Sequence, residues 1–146
     1  MMRITAAACT TLAALLSACT ATAPSPDTGV PSAAVIDGHN ARNALDWNGT
    51  YEGTLPCADC PGIQTRLTLL EHGAYELQTR YLDRQPHPNI VRGTFSWQAD
   101  GSTIQLDKAG DEQRYFVAEG RLIQLYQDGS RPTGPLAAHY ELAQIR

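Results

Sequence analysis

Tyr51-Glu-Gly-Thr-Leu-Pro-Cys-Ala-Asp-Cys-Pro-Gly62 begins as a strand and ends as a turn. Tyr51, Gly53 and Leu55 alternate onto one side, which is the period of a half-buried β-strand. The chain then enters a proline-bounded turn, Pro56 to Pro61, that holds Cys57 and Cys60. Two thiols three positions apart can close a short disulfide, hold a soft metal, or exchange electrons with another thiol system.

The same alternation continues on both sides of this turn. Trp47, Gly49, Tyr51, Gly53 and Leu55 share one face, and Ile63, Thr65, Leu67 and Leu69 answer it, with Gln64, Arg66 and Thr68 opposite. Next come Tyr75, Leu77, Thr79 and Tyr81 after the His72-Gly73 turn, then Val91, Gly93, Phe95 and Trp97 after a loop containing Pro86 and Pro88. Asp100-Gly101, Gly110-Asp111, Gly120 and Asp128-Gly129 punctuate further strands at Thr103 to Asp107, Arg114 to Ala118, Leu122 to Tyr126, and around Tyr140 and Leu142. Eight strands at most are expected, and no helix. The hundred or so residues from Leu45 to Arg146 are enough for one core. The economical closure of such a meander is a small antiparallel up-and-down β-barrel, which leaves no exposed edge, with an open sandwich as the alternative. Tyr51, Tyr75, Tyr81, Phe95 and Trp97 are expected in its core.

The N-terminus sets the compartment. Met1, Met2 and Arg3 precede an apolar run from Ile4 to Leu16, too short to span a bilayer and of the length of a secretory signal. It ends in Leu16-Ser17-Ala18-Cys19, which resembles the bacterial lipobox, in which the cysteine is lipidated and becomes the first mature residue. Residues 1–18 therefore read as a lipoprotein signal peptide and 19–44 as the lipidated Cys19 with a flexible linker. The folded domain is expected over 45–146. The multiple acyl chains of a lipidated cysteine make a stable membrane anchor. By resemblance to Gram-negative lipoproteins, Thr20 in place of Asp directs the chain to the outer membrane, facing the periplasm. A linker of about 25 such residues spans on the order of 25–30 Å.

Processing also simplifies the chemistry. Cys9 leaves with the signal peptide and Cys19 is acylated, so of four cysteines only Cys57 and Cys60 remain, a pair that an oxidising compartment turns into a disulfide. Both methionines leave as well, which excludes a thioether copper site. Of eleven Lys and Arg residues, Arg3 is removed, so ten face fifteen acidic residues, a formal charge of −5. With no basic patch, nucleic-acid binding is not expected. His39, His72, His87 and His139 are widely spaced and read as solvated residues, not ligands. No nucleophile elbow and no phosphate loop are present, so the chain does not read as an enzyme.

The run Tyr51 to Ile63, followed by Thr65, Leu67, Leu69, Gly73, Tyr75 and Tyr81 and by Gly93-Thr-Phe-Ser-Trp97, resembles the N-terminal domain of the NlpE (CutF) family of envelope lipoproteins. The resemblance covers Trp47 to Leu142. It implies a lipocalin-like barrel at the outer membrane, linked to copper resistance and to the signalling of envelope stress, with Cys57 and Cys60 as the cysteines carried over. Its partners would be the membrane, through the lipid anchor, and an envelope stress sensor or a periplasmic thiol oxidase. Longer family members carry a second, C-terminal domain with its own cysteine pair.

Three uses of the pair stay open: a disulfide that stiffens a turn, a redox-sensitive disulfide, and two soft thiolates for copper(I) when reduced. Asp59 between the thiols disfavours thiolate, and no cation lies near in sequence, which suits a sensor or client more than a catalyst. A different class of function is a carrier of a small apolar ligand, which requires an apolar cavity of several hundred Å³.

Overall fold

The computed structural model describes residues 40–146. The expected signal peptide, the Cys19 lipidation site and the linker up to residue 39 lie outside the described residues. Eight strands follow in the expected order: β1 Gly49–Leu55, β2 Ile63–Leu69, β3 Ala74–Tyr81, β4 Asn89–Trp97, β5 Thr103–Leu106, β6 Arg114–Ala118, β7 Arg121–Gln124 and β8 Glu141–Ile145. Each pairs antiparallel with its neighbours, and β8 returns to β1 to close the barrel. This is the up-and-down closure expected from the meander, and not the open sandwich.

Because side chains alternate along a strand, every second residue enters the interior. Tyr51, Leu67, Leu69, Tyr75, Ile104, Leu106, Tyr115, Val117, Leu122 and Leu142 are each 2% exposed or less and fill it. The three buried tyrosines all find partners for their hydroxyls, as a phenol in an apolar core must. Tyr51 donates to the Trp47 carbonyl at 2.7 Å, Tyr75 to Asp107 Oδ1 at 2.8 Å and Tyr115 to Gln113 Oε1 at 2.6 Å. Burial, with Asp46 adding repulsion, pushes the Tyr51 phenol up to about 12.

Three details depart from the sequence reading. Strand β1 starts at Gly49 and not at Trp47. Gly49 has φ of +137°, a conformation side chains rarely adopt, and the Trp47 ring before it packs edge-on against Phe95 and Trp97 at 5.8 and 5.5 Å. Tyr81, expected in the core, is 38% exposed, because it ends β3 beyond the reach of the packed interior. A short helix, α1 Ala41–Ala44, stands where the linker was expected to end. Asn40 caps it, Ala41 is buried, Ala41 N–H donates to Ser102 Oγ at 3.3 Å and Arg42 N–H to the Gly101 carbonyl at 3.0 Å.

The ladders are uneven. The β1–β2 and β2–β3 registers run the full length of β2, from Ile63 to Leu69. In contrast β4 meets β5 only over Phe95–Trp97, β5 meets β6 over Thr103–Gln105, and β7 meets β8 over Arg121–Ile123. The first four strands thus form a tall wall that extends past the short half, and the cysteine turn joins β1 to β2 at its end.

Candidate functional site: the cysteine turn

Strands β1 and β2 leave the barrel paired through Leu55 and Ile63, and the turn between them is fixed by close packing. Gly62 is buried; a Cβ there would collide with Thr54 Cγ2, and its carbonyl accepts from Leu82 N–H at 3.0 Å. A side chain at this position would require the exposed Thr54 side chain to move aside. Cys57 and Cys60 form a disulfide, with Cα atoms 5.3 Å apart, and both are half-exposed. The structure therefore brings together the two cysteines that the sequence singled out and leaves them reachable from solvent.

Asp59 stands beside them, with Oδ1 3.5 Å from Cys57 Sγ. In the disulfide the sulfur carries no hydrogen, so this is a contact and not a hydrogen bond. On reduction, a carboxylate at this range opposes thiolate formation. The fold supplies a cation that is absent from the local sequence. Arg84, in the loop between β3 and β4, places Nη2 2.9 Å from Asp59 Oδ2 and donates from the same nitrogen to the Asp59 carbonyl at 2.8 Å. One guanidinium thus holds both the side chain and the backbone of the residue between the cysteines. Sequence reasoning missed it because Arg84 lies 25 positions away in a proline-containing loop with no motif around it.

The ligand atoms of Cys57, Asp59 and Cys60 all lie within 4.8 Å of one another. A disulfide cannot ligate. Once reduced, the donor set is two soft sulfurs and one hard oxygen, and the two thiolates suit the low coordination of copper(I). The histidines do not join them: His72 sits in a 3₁₀ turn with φ of +65°, His139 in the 3₁₀ segment Ala137–Tyr140, and His87 is exposed in the β3–β4 loop. His39 lies outside the described residues.

The fold and the site together define a small antiparallel barrel domain with a cysteine-bearing first hairpin. Residues 51–135 match the family model described as the NlpE N-terminal domain. The chain is 32% identical over 110 residues to the 17 kDa lipoprotein of Treponema pallidum (strain Nichols), covering 67% of this chain and 70% of that protein. It is 29% identical over 83 residues to Lipoprotein NlpE of Escherichia coli (strain K12), covering 57% of this chain. The match takes in 35% of the E. coli protein, about a third of its length. The crystal structure of a candidate lipoprotein from Shewanella oneidensis superposes with a TM-score of 0.68 at 46% identity, covering 73% of this chain and 96% of that one.

This chain belongs to the NlpE N-terminal domain family. Its named relatives are lipoproteins.

Proposed function

We propose that this protein is an outer-membrane lipoprotein, anchored through Cys19 and facing the periplasm, that senses envelope stress through the redox state of Cys57 and Cys60. The observation that carries the reading is placement. The disulfide sits half-exposed at the end of the tall wall, outside the packed interior, and Arg84 holds Asp59 between its two cysteines. A four-residue loop closed by a disulfide contributes at most about 2 kcal/mol on the chain-entropy model, a small share for a barrel with so complete a core. The pair is therefore free to open and close without unfolding the domain. Its partners are an envelope stress sensor that reads the turn and a periplasmic thiol oxidase that resets it.

Copper resistance enters as a second reading through the same atoms. The adjacency of the Cys57 and Cys60 sulfurs favours capture of copper(I) by the reduced pair, with these two sulfurs as ligands and Asp59 left to Arg84. The carrier alternative has less support, because aromatic and branched side chains occupy the barrel axis.

The test is the double variant Cys57→Ser, Cys60→Ser in the full chain, followed by an envelope-stress reporter and by growth on copper. Loss of both responses with an unchanged fold is expected. A variant that responds like the parent to both would remove the turn as the functional site.

A further inference from the structure

We propose that the open edge of β4 pairs antiparallel with the same edge of a second copy of this chain, in a register centred on Val91. Strand β4 pairs with β3 over Asn89–Thr94 but with β5 only over Phe95–Trp97. At Thr94 the β5 side is closed by a single residue: Asp107 Oδ2 accepts from Thr94 N–H at 2.8 Å, and Asp107 N–H donates to the Thr94 carbonyl at 3.0 Å. Beyond Asp107 the chain turns away into the 3₁₀ segment Lys108–Gly110. Backbone groups alternate sides along an antiparallel strand. Arg92 and Ile90 therefore direct their N–H and C=O to the same side as Thr94, and among the described residues no backbone group meets them there. Ile90 is 49% exposed, and Asn89 and Arg92 are exposed with it.

Such an edge is a template for another strand, and its residues specify which one. A two-fold axis at Val91 sets Ile90 opposite Arg92 of the second copy, so that all four unspent groups on each edge are used. Asn89 then faces Gly93, over which the Asp107 carboxylate lies, an acceptor that suits the Asn89 side-chain amide. Arg92 keeps its own counter-ion, Glu76 Oε2 at 2.6 Å, so no charge is stranded. The neighbouring registers fail. Centring on Arg92 sets two arginines directly opposite, which is destabilising, and calls on the Thr94 groups already spent on Asp107. Centring on Ile90 sets Arg92 opposite Pro88, which has no N–H to give. A one-residue shift turns the two copies' inward faces opposite ways. The edge is thus complementary to itself in one register, an isologous contact that closes as a dimer.

The test uses the full acylated chain in phosphatidylethanolamine–phosphatidylglycerol vesicles. Opposed residues at a non-hydrogen-bonded antiparallel position have Cα atoms about 4.5 Å apart, within disulfide range. Val91→Cys should therefore give a covalent dimer under mild oxidation, whereas Gln64→Cys on the outer face of β2 should stay monomeric. Adding Ile90→Pro to Val91→Cys removes an outward N–H and spares the β3 ladder, a placement that edge strands tolerate. It should lower the dimer yield about tenfold or more, with circular dichroism confirming the fold. Absence of dimer from Val91→Cys, equal yield from Gln64→Cys, or a yield unmoved by Ile90→Pro would overturn the proposal. So would capture in intact cells of a different envelope protein in place of the second copy.

Discussion

The two halves of the barrel are built to different standards. Strands β1 to β4 share long, continuous registers, and their outer face is laced by cross-strand pairs: Glu52 with Arg66, Thr50 with Thr68 at 3.0 Å, Glu76 with Arg92, and Gln64 with Arg80 at 2.8 Å. Strands β5 to β8 meet over three or four residues each and contribute Ile104, Tyr115, Val117, Leu122 and Leu142 to the interior. The short half closes the core. The tall half closes it too, and then carries the cysteine turn past the packed region. The site is therefore mounted on the barrel without being part of what holds the barrel together.

The sharpest way to break that division is Leu142→Ala in the short half. Leu142 is fully buried, and truncation should cost about 2–5 kcal/mol in urea unfolding, with both halves lost in a single transition because they share one core. Separate transitions would show that the tall half stands alone. Replacing Cys57 and Cys60 by serine should cost no more than about 2 kcal/mol, and a larger loss would place the disulfide among the structural supports.

Tyr75 and Asp107 join the halves across the gap beside β4, and Tyr75→Phe should cost about 1–2 kcal/mol through the lost hydrogen bond. The Thr94 amide and the Tyr75 hydroxyl hold the Asp107 carboxyl below the usual carboxylate range. The unfolded chain therefore takes up this proton first as pH falls. The contribution of Asp107 is complete above about pH 4 and fades as pH drops through its lowered folded value. Asp107→Asn should flatten that acid limb of the stability profile. The smallest effect belongs to Arg84→Ala. An exposed ion pair contributes under about 1 kcal/mol, so melting should barely move, while the rate at which a small reductant opens the disulfide should change.

Much of the barrel was legible because its signal is local. Tyr51 and Leu55, Leu67 and Leu69, and Tyr75 and Leu77 show the period of two directly, and glycine turns separate the runs. Helix α1 escaped because four residues of Ala-Arg-Asn-Ala carry no periodicity, and it is held by a cap and by Gly101 and Ser102 some sixty positions away. Tyr81 misled for the opposite reason: its alternation is correct, but alternation does not say where the core stops. The cysteine pair could be found from spacing alone. Arg84 and Asp107 could not, since each acts on a residue brought near only by the fold, and neither lies in a motif.

The most direct measurement is the reduction potential of the Cys57–Cys60 pair in the purified chain, by equilibration with glutathione, with and without copper(I). The proposed role predicts a value between about −120 and −270 mV, where exchanging CxxC pairs lie, and an upward shift when copper(I) captures the reduced thiolates. A value below about −300 mV, in the range of structural disulfides, would contradict it.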